Sequence, residues 1–287
     1  MFETDFSARF AGEGITPSLI ADFQSFVFSY YTKAGRHDMQ WRHTEDPYLI
    51  AVSEVMLQQT QVLRVAQIFP RFIEQFPNAA ALANASDADV LSAWQGMGYN
   101  RRALYLKRMC RTVVDEFAGV FPTLPADLEK LPGIGKATSC SIAAFAYNAP
   151  VVFIETNIRR VFIHFFFRGK ETVDDAEILP LVKAALPPGR SREWYWALMD
   201  LGTDMKKAVG NPNRKSRQYV KQSAFEGSNR QVRGAVLKIM LQKGTASAEE
   251  LSTVSGYDTD AVSAVLSDME KEGFFVSSGD GIYQVIR

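Results

Sequence analysis

Leu131-Pro132-Gly133-Ile134-Gly135-Lys136 opens an apolar helical stretch, and Phe153-Ile154-Glu155-Thr156-Asn157 follows where that stretch has ended. A Gly-x-Gly turn lets backbone N–H groups approach an anion closely, and the positive end of the helix behind it points the same way. Gly133, Gly135 and Lys136 are therefore candidates for a phosphate seat. A tight turn between two helices uses the same glycines without any ligand. Glu155 stands at or just before the start of the next helical pattern, where free N–H groups and the helix dipole favour an ionised carboxylate; Asn157 is a candidate cap there. An anion seat with a carboxylate beside it suggests a protein that holds a nucleic-acid backbone and does acid or nucleophile chemistry on it.

Helices must position these groups. Apolar residues recur at three- and four-residue spacing over 18–33, 47–61, 64–76, 87–94, 101–117 and 124–131, separated by Pro, Gly or Asn. The helix 136–147 ends at Asn148-Ala149-Pro150, 157–167 reads as an apolar central helix, and 176–185 with 192–201 complete an all-α body. Residues 203–228 are polar and basic, contain Gly210-Asn211-Pro212-Asn213, and read as a long wrapped loop. Beyond them come three short amphipathic helices (230–242, 248–254, 260–272) and a hairpin of 274–276 with 282–285, the order of a winged helix. Its third helix carries Asp260, Asp268, Glu270 and Glu272 against Lys271, which repels phosphate. The tail is thus expected to pack on the body or meet a protein partner rather than read bases.

The 32 basic and 32 acidic residues cancel, unlike the excess of a simple nucleic-acid binder. The electrostatic case rests on local runs: Lys206, Lys207, Arg214, Lys215, Arg217 and Lys221 with no acid between them, and the cluster that Arg101 and Arg102 begin. Either run is also what a solvated face looks like. Only Cys110 and Cys140 are present, so neither a disulfide framework nor a zinc or iron–sulfur ligand set can be drawn. No apolar run reaches bilayer length and the N-terminus lacks the order of a signal peptide, so a cytoplasmic, DNA-accessible location is expected, nucleoid-associated if the source is bacterial.

The stretch LPGIGKATSCSIAAFAY resembles the helix-hairpin-helix and following helix of the HhH-GPD superfamily of DNA glycosylases. Asp46-Pro47-Tyr48, the decamer SEVMLQQTQV at 53–62 and Gly96-Met97-Gly98-Tyr99 resemble its adenine DNA glycosylase (MutY-like) branch rather than the endonuclease III branch. The resemblance implies a mostly α helix-hairpin-helix glycosylase fold, two helical subdomains flanking a cleft. The expected partition is a glycosylase body (1–202), a basic loop (203–228) and a small winged-helix-like α+β domain (229–287).

It also implies a monofunctional enzyme of base excision repair that acts on double-stranded DNA and hydrolyses the N-glycosidic bond of a flipped-out base, mismatched adenine first. A modified or deaminated pyrimidine (uracil, 5-hydroxymethyluracil, mismatched thymine) is the alternative substrate, and a non-catalytic DNA-binding or regulatory protein the alternative class. Glu54 matches the glutamate that protonates the base and helps activate water, and burial in its apolar helix is expected to raise its pKa. Glu155 stands where the family carries aspartate, and Asn157 matches the asparagine that steadies that acid. Gln59 and Tyr99 match positions that fill or wedge the emptied stack, with Arg101 and Arg102 expected to grip phosphates beside them. Asn100 replaces a second tyrosine common in the adenine branch. Ala137 stands where lyase-type members carry a lysine, so no amine is available for a Schiff base. The four cysteines of the family's iron–sulfur cluster are missing, the first aligning near Lys206; no cofactor is expected, and the basic loop takes the cluster's place. The domain by which adenine glycosylases recognise 8-oxoguanine is missing too, so no opposite-base preference is implied.

Overall fold

The computed structural model describes residues 4–221 and 225–286; residues 222–224 of the expected basic loop lie outside the described residues. In chain order the elements are α1 (Ser7–Glu13), α2 (Pro17–Ala34), α3 (Pro47–Leu57), α4 (Val62–Gln75), α5 (Ala79–Asn84), α6 (Asp87–Ala93), α7 (Arg101–Glu116), α8 (Pro125–Leu128), α9 (Lys136–Tyr147), α10 (Thr156–Phe166), α11 (Asp175–Ala185) and α12 (Ser191–Ala208). The C-terminal module follows with α13 (Asn229–Lys243), β1 (Thr245–Ser247), α14 (Ala248–Ser255), α15 (Thr259–Lys271), β2 (Phe275–Ser277) and β3 (Ile282–Val285). The mostly helical class is as expected. Among the described residues no helix is long and apolar enough to cross a membrane.

The chain forms two compact units, and they cut across the expected partition. The first holds residues 1–51, 122–130 and 134–221; the second holds 52–121, 131–133 and 222–287. The span 1–202 is therefore not one body, and the C-terminal module belongs with α4–α7 instead of standing alone. The basic loop also starts later than 203. Leu201, Gly202 and Met205 are buried, so the apolar stripe carries α12 on to Ala208.

In the first unit α10 is central, as its apolar pattern predicts, and buries Ile158, Val161, Phe162, Ile163, Phe165 and Phe166. Phe23 of α2 meets Phe166 edge-on at 4.9 Å between centroids and Phe162 at 5.3 Å. Each such fully buried ring contributes about 1.5–3 kcal/mol. α12 passes α10 so closely that a Cβ on Gly202 would stand 2.5 Å from the Asn157 carbonyl oxygen, leaving room for glycine alone.

In the second unit Phe72 of α4 packs edge-on against Trp94 at 5.8 Å. Its C-terminal module is a three-stranded antiparallel sheet in the order β1-β3-β2 with three helices, the winged-helix-like arrangement with one additional strand. Ala246 pairs with Tyr283 and Val276 with Gln284. Val236, Leu237 and Met240 of α13 are buried, as are Leu251, Val262, Leu266, Met269 and Phe274. Glu272, just past α15, accepts an ion pair from Arg101 of α7 at 2.5 Å and another from Arg233 of α13. Within this unit the end of the acidic helix is thus tied to α7 and α13.

Candidate functional site

Glu155 is the N-cap of α10. Its Oε1 accepts from the backbone N–H of Asn157 at 2.7 Å and of Ile158 at 2.9 Å, and its Oε2 accepts from Asn157 Nδ2 at 3.3 Å. Asn157 is held in turn: Nη1 of Arg160 donates to its Oδ1 at 2.7 Å and to the Gly202 carbonyl at 2.6 Å. Arg160 is 4% exposed, a guanidinium taken out of water to fix an amide. Burial pushes the Glu155 carboxyl above the ordinary glutamate range, and the two N–H groups with Arg160 and Arg159 pull it back without cancelling the rise. The loop after α12 braces the same helix start: Asn213 Nδ2 donates to the Thr156 carbonyl at 2.8 Å, and Arg160 Nε to Asn211 Oδ1 at 3.4 Å.

Glu54 lies in the last turns of α3, half-buried between the buried Ser53 and Val55. It belongs to the second unit and Glu155 to the first, so each acid is described in its own setting. α3 ends at Leu57, short of the expected Gln61, and Gln59 adopts φ +55 in the turn that follows. Arg102 explains that end. Its Nη1 donates to the carbonyls of Val55 at 2.7 Å and Met56 at 3.0 Å, and its Nη2 to Thr60 Oγ1 at 3.0 Å, Met97 O at 3.2 Å and Gly98 O at 3.0 Å. A guanidinium on the final carbonyls stops the helix and complements its negative end. Arg102 also lies 5.2 Å from the Trp94 ring, and burial pulls its pKa down to about 10. The expectation that it grips phosphate is thereby corrected: its two terminal nitrogens are spent on four backbone carbonyls and the Thr60 hydroxyl. Tyr99, at φ +47 and 37% exposed, has Arg102 5.7 Å from its ring and accepts at its hydroxyl from Arg230 Nη1 at 2.7 Å. Arg101, expected on phosphate as well, is paired with Glu272.

The two hairpin glycines differ. Gly133 has φ +79, and a Cβ there would meet Tyr105 Cβ at 2.7 Å, so the fold itself requires it. Gly135 has φ −96 as the N-cap of α9, and a Cβ there would meet nothing within 4 Å. No side chain caps α9, and Lys136 and Ala137 are exposed in its first turn. That end offers N–H groups and a cation to an outside anion. Of the other cations, Lys206, Lys207 and Arg214 are exposed, Lys207 at 3.8 Å from Asp204. Lys215 is half-buried, and its Nζ donates to the Arg168 carbonyl at 2.8 Å, which ties the loop down. Arg160 and Gly202 were missed by sequence reasoning. The three-residue offset that puts Arg160 one turn after Asn157 on the same helix face was the available signal.

Residues 52–180 match a family described as HhH-GPD superfamily base excision DNA repair protein. The adenine DNA glycosylase of Mycolicibacterium smegmatis is 33% identical to this chain over 89% of it and 93% of that protein. That of Buchnera aphidicola subsp. Baizongia pistaciae is 32% identical over 63% of the chain, which spans 52% of its length. The solved structure of a thermostable thymine-DNA glycosylase matches with a TM-score of 0.58 at 22% identity, covering 68% of this chain and 91% of that one, a likeness of fold.

Proposed function

Since the chain belongs to the HhH-GPD superfamily of base excision DNA repair proteins, on its adenine DNA glycosylase branch, we propose that it binds duplex DNA and hydrolyses the N-glycosidic bond of one base turned out of the stack, mismatched adenine first. Glu54 gives its proton to the departing base as the bond to C1′ breaks, and the carboxylate of Glu155 faces the positive charge that develops on the sugar. Water then adds to C1′ and its proton returns to Glu54. With Ala137 in place of an amine, the product is an abasic site in an unbroken strand. Gly135 and Lys136 take a backbone phosphate at the start of α9.

The observation that carries this reading is the wiring of Glu155. A glutamate where the family resemblance implies aspartate adds a methylene, and its carboxylate is nevertheless pinned by two N–H groups and an asparagine that a buried arginine holds. A surface cap needs no such support. A four-thiolate iron–sulfur cluster does not fit this chain: Cys110 lies buried on α7 and Cys140 on α9, both thiols are pushed up by burial, Cys110 to about 12, and the loop after α12 has Lys, Asn and Arg instead. Hydrogen bonds from Asn213 and Lys215 serve as that loop's ties.

The test is a set of duplexes carrying one mismatched adenine, uracil, mismatched thymine or 5-hydroxymethyluracil, each followed by alkali. Strand cleavage only after alkali is expected, on the adenine duplex first. Tight binding without cleavage on any duplex would replace the enzyme by a regulatory DNA-binding protein.

A further inference from the structure

α13 begins with cations at the end where a helix already carries positive charge. Arg230 lies in its first turn and Arg233 directly after, with no acid in that turn and no side-chain cap. The helix dipole disfavours guanidiniums there, so α13 itself does not account for them. Both have partners outside α13. Arg233 pairs with Glu272, which also takes Arg101 of α7, and Arg230 Nη1 donates to the Tyr99 hydroxyl at 2.7 Å. The C-terminal module thus reaches residues 99 and 101 from two points.

The turn that carries Tyr99 needs holding. Gly96, Gly98 and Tyr99 all have positive φ, at +86, +68 and +47. Glycine takes such values freely, whereas a tyrosine there crowds its Cβ against a carbonyl oxygen and persists only when its surroundings fix it. Two guanidiniums do so: Arg102, 5.7 Å from the ring and bonded to backbone carbonyls, and Arg230, 5.8 Å from the ring and bonded to its hydroxyl. Between them the ring is still 37% exposed. A large exposed ring held in one position can fill the space that a base leaves when it turns out of a duplex.

We propose that Arg230 is a positioning residue for base extrusion, which locks the Tyr99 ring before DNA arrives, and that this is the part the C-terminal module plays in the reaction. The inference rests on the glycosylase reading above. A side chain already ordered gives up no rotamer freedom when it meets the duplex, so the lock acts on the extrusion step and leaves the bond-breaking groups untouched.

Stopped-flow fluorescence tests this, with the full chain mixed with a duplex whose mismatched base is 2-aminopurine, an adenine analogue that brightens when unstacked. Arg230→Met keeps most of the stem and removes the donors, and the rise is expected to slow about three- to tenfold with the melting temperature little changed. Tyr99→Phe keeps the ring, loses the acceptor and is expected to slow the rise as much, while the double variant is no slower than either single one. Arg230→Lys, still a donor, is expected to recover part of the rate. A rise as fast as the parent's in Arg230→Met overturns the proposal, as do additive losses in the double variant. A slope of log K against log salt flattened by about 0.9 in Arg230→Met alone makes the residue a phosphate contact and overturns it too. In each of these cases a parent that releases base leaves the glycosylase reading standing. A parent that neither brightens 2-aminopurine nor releases base from any duplex overturns both.

Discussion

Two helix ends, each beside one of the two acids, are satisfied in opposite senses. At the start of α10 N–H groups point outward, and the Glu155 carboxylate accepts two of them. At the end of α3 carbonyls point outward, and Arg102 donates to those of Val55 and Met56. Both ends draw on an arginine removed from water. Arg160 works through Asn157 to orient a carboxylate, whereas Arg102 works on backbone and fixes the turns in which Gln59 and Tyr99 take positive φ. In a low-dielectric setting a charge costs free energy unless its bonds are made. Burial leaves its mark at both ends: the Arg102 guanidinium is pulled down to about 10, and the Glu155 carboxyl stays above the ordinary range even with its partners in place. What separates the two is what the arginine holds, backbone carbonyls and Thr60 in one case and the asparagine beside a carboxylate in the other.

Glu155→Gln strains the comparison hardest. The amide keeps an oxygen for the two N–H groups but loses the charge, and base release in single turnovers is expected to fall by about 10²–10³-fold. Because the folded pKa is raised, the penalty of ionising this carboxyl is absent below the unfolded value and fully present above the folded one. The variant is therefore expected to melt at or above the parent at neutral pH and above, with the gap closing as pH falls toward about 4. A lower melting temperature with an unchanged rate would reduce Glu155 to a cap.

Arg102→Met tests the other end, with an expected loss of about 3 kcal/mol in urea unfolding as carbonyls are left without a donor. A smaller salt slope for DNA binding with stability intact would restore the phosphate role and dissolve the contrast. Gly202→Ala is next, at about 1–3 kcal/mol from overpacking, together with slower base release because the added methyl group displaces Asn157. Arg101→Ala is the mildest, within about 1 kcal/mol of the parent in urea, since its pair with Glu272 is half in solvent.

The sequence shows these two ends unequally. Lys136–Tyr147 was placed to the residue because Gly135 and Asn148-Ala149-Pro150 bound it, and Glu155 was legible as a cap from its position before an apolar period. Arg101 and Arg102 are adjacent and identical in type, yet a helix turns about 100° per residue, so one reaches Glu272 and the other the core. The sequence predicts α3 on to Gln61 because glutamines continue a helix well, and what stops it at Leu57 lies far along the chain in Arg102. The strand Thr245–Ser247 is too short to show an alternating pattern. The division into units follows spatial contacts between distant segments, which no local composition shift announces.

Cys110 and Cys140 have a consequence beyond the missing ligand set. A thiol must become thiolate to react with peroxide or alkylating agents, and here both sulfur atoms are buried with their ionisation held back, Cys110 to about 12. In its folded form the chain therefore offers oxidants no ready cysteine nucleophile, and iodoacetamide should label it only as it unfolds.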